Sequence, residues 1–319
     1  MLRRTSVAKI ERTVTEELGG ARLDKAIVAL VEGASRARVK RAIEGGEVRV
    51  NGRILAKGGV VRAGDVIALE ENLVRAADAS GCVPEPDAPL AVRFTSEAVL
   101  VVDKPAGQPT APLRPDETGT LAGALLGHHP ELAGIGYSAR EPGVLHRLDT
   151  DTSGLVIVAR SAAAFDRLKA ALQGERIAKE YLLVTRGDGL PDEGSIEHPI
   201  ANHPKDKRRV YVCIHPRDVM RYAPRPAVTQ FAVERRAGEL ALVRVTAARA
   251  VRHQIRAHFE SIGHPLVGDA LYGPAVEGTP AIGRHALHAA RVAHTDTDAA
   301  LTFDVSSPLP ADMAALLPG

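Results

Sequence analysis

Val144-Leu145-His146-Arg147-Leu148-Asp149-Thr150-Asp151-Thr152-Ser153-Gly154-Leu155 is the stretch from which the rest of the chain is read. Two apolar residues lead in, a polar cluster follows, and a glycine precedes the apolar run Leu155-Val156-Ile157-Val158-Ala159. That order predicts a loop rich in functional groups that feeds a buried strand. The backbone groups of such a loop need partners, so the side chains of Thr150, Thr152 and Ser153 are expected to tie it down. Asp149 then stands as a carboxylate on a stiff platform. Most loop aspartates only cap a turn, and the residue by itself reads no differently.

Outward from this loop the chain keeps a sheet-forming character. Upstream, Val99-Leu100-Val101-Val102 reads as a buried strand running into the sharp turn Asp103-Lys104-Pro105-Ala106-Gly107, and residues 108–143 read as loop and short helix. Downstream, Phe165, Leu168 and Leu172 mark a helix, and Lys179-Glu180-Tyr181-Leu182-Leu183-Val184 a strand. Ala227–Phe231 and Leu240–Val245 alternate as strands of a half-buried sheet, and a helix follows with Ile255, Phe259 and Ile262 on its inner face. Between His203 and Arg225, seven basic residues (Lys205, Lys207, Arg208, Arg209, Arg217, Arg221, Arg225) face only Asp206 and Asp218. His203–Arg209 shows no periodicity and reads as a projecting basic loop; an ordinary exposed hairpin is the plainer alternative.

The N-terminal part has a different grammar. Residues 1–20 read as an arm with a strand around Ala8–Val14. Leu23, Ala26, Ile27, Leu30 and Val31 share one helical face; Ser35 suits the N-cap of a second helix that turns Val39 and Ile43 inward, and Gly45-Gly46 ends it. Val48 and Val50 alternate with polar residues into an Asn51-Gly52 hairpin turn, and Gly64-Asp65 turns the chain into Val66–Leu69. Residues 21–72 thus form a compact α+β module, residues 73–90 a polar, proline-punctuated linker, and residues 91–319 a larger domain. From 35 to 62, Arg36, Arg38, Lys40, Arg41, Arg49, Arg53, Lys57 and Arg62 face only Glu44 and Glu47, a concentration that suits a phosphate backbone. Gly59 and Gly64 have P-loop spacing, but Asp65 stands where that motif needs lysine.

The sequence His146-Arg147-Leu148-Asp149, then Thr152-Ser153-Gly154-Leu155, resembles the signature of the RluA-type pseudouridine synthases, a pattern far more selective than a lone aspartate. His253-Gln254-Ile255-Arg256, the run Gly263-His264-Pro265-Leu266-Val267-Gly268-Asp269 to Tyr272-Gly273, and His285–Ala289 extend the resemblance over nearly all of 20–317. One departure is local: Ala250-Val251-Arg252 stands where the family usually has Gly-Arg-Thr. Over residues 22–67 the chain resembles the S4 RNA-binding domain. The resemblance implies an α+β chain: a small S4-type helix-helix-strand module plus a synthase domain built on a mixed, mostly antiparallel sheet. It implies that Asp149 is the catalytic carboxylate, Arg256 its charge-assisted partner, and Tyr181 a ring that stacks on uracil with a hydroxyl near C5, where the final proton is removed. Arg147 is expected to fill the gap left by a flipped uridine or to brace the loop, and Arg36, Arg38, Lys40, Arg41, Arg49, Lys205, Lys207, Arg208 and Arg209 to contact RNA. The reaction implied is isomerisation of a uridine within RNA, most readily large-subunit ribosomal RNA. The alternatives are transfer RNA as substrate, or a noncatalytic RNA-binding or ribosome-assembly factor on the same fold. Asp149, Tyr181 and Arg256 together favour the enzyme, because binding alone requires none of them. A glycosidase would want two opposed carboxylates, and Asp149 and Asp151 are too close in sequence to be assumed so.

Composition agrees with these expectations. The 319 residues are 45% hydrophobic and 25% charged, with a formal charge of only +2, so it is the distribution of charge that points to nucleic acid. No apolar run approaches the roughly 18 residues of a membrane span, and Met1-Leu2-Arg3-Arg4-Thr5 lacks the apolar segment of a signal peptide, so a cytoplasmic monomer is expected. Cys82 and Cys213 make no disulfide framework, and the histidines His128-His129, His253, His258, His285 and His288 show no ligand set for zinc. No cofactor is expected, since neither a dinucleotide fingerprint nor a Walker motif is present. Aromatic residues are only 3%, which argues for recognition of RNA by shape and phosphate rather than by stacking platforms.

Overall fold

Alternating side chains send successive strand residues to opposite faces, and two strands that are apolar throughout must therefore be covered on both sides. Val99–Val102 and Leu155–Ala159 are such strands, and the architecture supplies both covers. The computed structural model describes residues 9–31, 34, 36–55, 58–70, 81–114, 116–248, 250–273 and 282–317. The chain divides into two units, residues 1–80 and 81–319.

The small unit runs β1 (Lys9–Thr13), α1 (Leu23–Leu30), α2 (Arg36–Glu44), β2 (Arg49–Val50), β3 (Arg53–Ile54) and β4 (Val66–Glu70). Its strands order as β1-β4-β2-β3, all antiparallel. Leu23, Ala26 and Ile27 of α1 meet Val39 and Ala42 of α2 over Val48, Val50, Ile67 and Leu69. Asn51 and Gly52 take positive φ of 49° and 77°, the geometry a two-residue hairpin turn demands. The Asn51 side chain also accepts from the Val66 N–H and donates to Asp65, both at 2.8 Å, which joins the two turns. The expected Ser35 cap lies outside the described residues.

The larger unit continues with β5 (Val92–Thr95), β6 (Val99–Lys104), α3 (Leu121–His128), β7 (Ser153–Ala159), α4 (Ala162–Gln173), β8 (Ala178–Arg186), β9 (Glu193–Ile196), β10 (Ile200–Asn202) and β11 (Val210–Val212). Then come α5 (Pro216–Tyr222), β12 (Thr229–Ala237), β13 (Leu240–Thr246), α6 (Gln254–Ser261), β14 (Leu287–His294), β15 (Phe303–Ser306) and α7 (Ala311–Ala314). The main sheet orders as β5-β6-β7-β14-β8-β13-β12-β9, with β15 also on β14; only the β7–β14 pairing is parallel. It is the mixed, mostly antiparallel sheet expected. On one face Phe165 and Leu168 of α4 cover Val99, Val101, Leu155 and Ile157. On the other, Ile255 and Phe259 of α6 join Leu100, Val102, Val156, Val158, Tyr181 and Leu183. Each such aliphatic side chain contributes about 1.5–3 kcal/mol on full burial.

Two expectations are corrected. Leu240–Val245 is not half-buried: Leu240, Ala241, Leu242, Val243 and Val245 are all buried. β13 lies inside the sheet between β8 and β12, and the C-terminal Met313, Leu316 and Leu317 cover its second face, a long-range contact that local alternation does not reveal. The linker expected over 73–90 is shorter, because residues 81–90 belong to the larger unit. The Cys82 N–H donates to the Ala139 carbonyl at 3.1 Å, and the Glu85 carboxylate accepts from the Gly119 N–H at 2.8 Å. The segment crosses α3 and turns there, the Ala88 N–H donating to the Glu85 carbonyl at 3.1 Å, and a Cβ on Gly127 would stand 2.3 Å from the Glu85 carbonyl carbon. The linker residues 71–80 lie outside the described residues. Among the described residues, no helix is long and apolar enough to cross a membrane.

Candidate active site

The signature loop is placed by the register of three strands. Ser153 pairs with His288 and His288 with Leu182; Gly154 pairs with Ala289 and Ala289 with Tyr181. Gly154 makes this possible: at φ 114° a Cβ there would lie 2.3 Å from the Ala289 carbonyl oxygen. The close approach of β7 to β14 brings the Asp149 loop beside Tyr181.

The loop is then pinned by polar contacts. Thr152 Oγ1 lies 2.7 Å from His285 Nε2 and Ser153 Oγ 2.9 Å from His288 Nδ1, both hydrogen bonds between buried side chains. Burial, then the charge of Arg256, pushes His285 down to about 4, so its ring is neutral at ordinary pH. Thr150 acts differently from expectation. Its side chain is exposed, and its backbone carbonyl accepts from the Gly107 N–H at 2.9 Å and from Lys104 Nζ at 3.0 Å. Lys104 is fully buried, and its ammonium also donates to the carbonyls of Pro105 and Gln108 at 2.9 and 2.8 Å. Burial lowers its pKa to about 8, with the charges of Asp151 and Asp149 opposing that shift.

Asp149 faces an open cleft, lined among others by Arg147, Tyr181, His253, Gln254 and Arg256. Arg256, projecting from the first turn of α6, donates from Nη1 to Asp149 Oδ2 at 2.7 Å. Its other edge is bidentate to Asp269, Nε to Oδ2 at 2.7 Å and Nη2 to Oδ1 at 2.8 Å. The Asp269 side chain is 0% exposed and that of Arg256 7%. Burial pushes the Asp269 carboxyl up, but the hydrogen bonds and charge of Arg256 outweigh it and hold the group below the usual carboxylate range. Backbone N–H groups of Leu271 and Tyr272 donate to Asp269 as well, each at 3.1 Å. Arg256 therefore reaches Asp149 as a preformed fork whose far side is already neutralised.

Asp149, Arg256 and Tyr181 come together as expected. The Tyr181 ring is buried against Leu148, Ile255 and Leu287, and burial, then the negative charge of Asp149, raises its phenol far above the ordinary value. Arg147 reaches the cleft edge with 65% of its side chain exposed and pairs with a local acid, Glu141, at 3.1 Å. The basic loop 203–209 joins β10 to β11 as a hairpin. Lys205 and Lys207 are exposed; Arg208 bends back onto Asp206 at 3.0 Å. Arg209 lies 4.9 Å over the Tyr272 ring and 3.3 Å from Glu260, which commits it to docking the hairpin. Arg252, the residue that departs from the family pattern, donates to the carbonyls of Lys207 and Arg209 at 3.2 and 2.8 Å. In the small unit Lys40, Arg41 and Arg49 are exposed; the side chains of Arg36 and Arg38 lie outside what is described.

Sequence reading missed Asp269, Tyr272, His253 and Lys104 as parts of the site. Asp269 and Tyr272 stood in a quoted motif without a role, and nothing local says that Asp269 meets Arg256. Among the described residues no group of three or more His, Cys, Asp or Glu is placed to hold a metal ion.

Comparison with known proteins bears on both units. Residues 98–261 match the family described as RNA pseudouridylate synthase, and residues 21–67 match the S4 domain. A ribosomal large subunit pseudouridine synthase D of Nitrosomonas europaea is 33% identical over 315 residues, 97% of this chain and 87% of the relative. The protein of that description in Zymomonas mobilis is 32% identical over 313 residues, 95% of each chain. Among solved structures, the human RNA pseudouridylate synthase domain containing 1 aligns with a TM-score of 0.53 at 28% identity, over 70% of this chain and 86% of that one. With its S4 domain, this chain belongs to the RNA pseudouridylate synthase family, and is an isomerase that acts on RNA.

Proposed function

We propose that this synthase isomerises uridine in large-subunit ribosomal RNA and that Asp149 is its catalytic carboxylate. The observation that carries the reading is the placement of Asp149: in the cleft, one oxygen held by a buried arginine, beside a buried tyrosine ring. Near-full-length relatives described as ribosomal large subunit synthases support the substrate class.

The reaction breaks the bond from N1 of uracil to C1′, turns the base, joins C5 to C1′, and gives up the C5 proton while N1 takes one up, so the net change is an isomerisation. Nothing is added or oxidised. Asp149 serves either by attack on C1′ or by removal of the 2′ proton, and both routes need a carboxylate at the same place beside the sugar. Arg256 orients it and balances its charge. Tyr181 supports the loosened base through its ring. Its phenol takes part only as a neutral hydroxyl while Asp149 is charged, because burial and that charge both oppose a phenolate.

Lys205 and Lys207, with Lys40, Arg41 and Arg49 of the S4 domain, supply phosphate contacts that offset the few kcal/mol needed to unstack the target. Arg147 fills the vacated place in the stack. With 65% of its side chain exposed, its planar guanidinium has room to reach that place.

Mapping pseudouridines in ribosomal and transfer RNA from cells with and without the gene tests the reading. Loss of specific large-subunit sites, restored by the wild-type gene and not by Asp149→Asn, is the expected result. Loss confined to transfer RNA would overturn the substrate; no loss anywhere would overturn the activity.

A further inference from the structure

His253 lines the cleft but has no part in the chemistry above. It stands at φ 56° immediately before α6, a left-handed conformation that is strained for a non-glycine residue and concentrates where geometry is needed for function. Its Nε2 lies 3.6 Å from Asp149 Oδ1, the oxygen opposite the one that Arg256 takes. Its Nδ1 lies 3.0 Å from the Tyr272 hydroxyl. That hydroxyl oxygen already accepts the Val210 N–H at 2.7 Å, so its own proton is free for Nδ1. A neutral imidazole that accepts at Nδ1 carries its hydrogen on Nε2, the nitrogen facing Asp149.

We propose that His253 is a positioning residue for Asp149: its Nε2–H steadies the carboxylate oxygen that Arg256 leaves free, and the Tyr272 hydroxyl fixes the ring in that tautomer. The proposal rests on Asp149 being the reacting carboxylate. A carboxylate held at one oxygen can still rotate about its own axis; a donor at the second oxygen fixes its plane. The 3.6 Å separation is longer than a hydrogen bond, and a small turn of the ring or carboxylate closes it. Because Val210 opens β11, the same hydroxyl ties the basic hairpin to the ring that faces Asp149.

The groups facing His253 are Asp149, Arg256, Arg252, Asp269 and the Tyr272 phenol, with Arg209 across the Tyr272 ring. Burial holds the imidazole below the ordinary histidine value; Arg256 and Arg252 add to that, while Asp149 and Asp269 oppose it. His253 is thus a neutral donor at physiological pH. Protonation in acid turns it into a cation that competes for Nδ1–Tyr272 geometry and locks Asp149 in an ion pair, so turnover falls on the acid side.

Single-turnover rates across about pH 4–9, with RNA affinity and melting measured in parallel, test this on the full chain. His253→Gln keeps an N–H donor but cannot titrate: it is expected within about threefold of wild type at neutral pH, with the acid limb moved to lower pH. His253→Asn tolerates the left-handed backbone but is too short to reach, and is expected to lose about tenfold in rate with affinity unchanged. A wild-type rate for His253→Asn, or an unmoved acid limb for His253→Gln, overturns the proposal. Asp149→Asn in the same assay separates the two readings. If it is inactive while the His253 variants behave as wild type, this inference alone fails; if it is active, the assignment beneath it fails.

Discussion

Positive charge is used in opposite ways in the S4 domain and in the cleft. Lys40, Arg41 and Arg49 stand exposed on a helix and a strand of the small unit. Arg256 is 7% exposed and wedged between Asp149 and Asp269. Exposed cations add little to folding, act over a Debye length of about 10 Å or less in physiological salt, and weaken as salt rises. A buried arginine is costly to desolvate, and well-packed apolar residues in its place are often as stable. Its presence is therefore explained by chemistry rather than stability. The difference teaches where to look for each effect: affinity and its salt dependence in the first region, turnover and local stability in the second.

The sharpest break in that comparison is Arg256→Ala. It leaves the Asp269 carboxylate buried and unpaired, so unfolding free energy is expected to fall by about 3–5 kcal/mol and turnover with it. Urea denaturation of the purified variant measures this; a wild-type midpoint would show that the pair does not hold the site. The acid side is the next largest effect. Asp269 has its folded pKa held below the unfolded value, so its contribution is fully present above about pH 4 and is lost as pH falls through the folded value. Stability of the wild type should drop over that window, and the Asp269 part of the drop should be missing from an Arg256→Ala/Asp269→Ala double variant.

Arg147 is intermediate between the two regions, exposed yet at the cleft edge. Arg147→Ala should slow single turnover about tenfold when the target uridine lies in a stem and less when it lies in an open loop, where unstacking is cheaper. Equal defects on the two RNAs would reduce Arg147 to a brace for Glu141.

Much of this was legible in the sequence, and for a definite reason. The Asn51-Gly52 turn, the helix of Phe165 and Leu168, and the apolar strand after Gly154 are local patterns, and each forms where the residues place it. Asp149, Tyr181 and Arg256 stand out in the sequence through the family resemblance, and the register of β7, β14 and β8, with α6 beside them, brings them to one cleft. What sequence could not show is contact between distant segments. Asp269 behind Arg256, Tyr272 behind His253, and Lys104 under Thr150 are such contacts. The same holds for the second cover of β13, which comes from the end of the chain. Prolines around Glu85 read as a linker because extended, polar chain looks alike whether it is free or strapped to a helix.

Catalysis by Asp149 requires that turnover and affinity be separable. Asp149→Asn and the triple variant Lys40→Ala/Arg41→Ala/Arg49→Ala should be compared with wild type for single-turnover isomerisation and for RNA affinity over a range of salt. Asp149→Asn is predicted to lose isomerisation while binding RNA as wild type does. The triple variant is predicted to isomerise normally at saturating RNA, with a salt slope shallower by roughly 2–3 because phosphate contacts are gone. Substantial turnover by a folded Asp149→Asn variant would contradict the central claim.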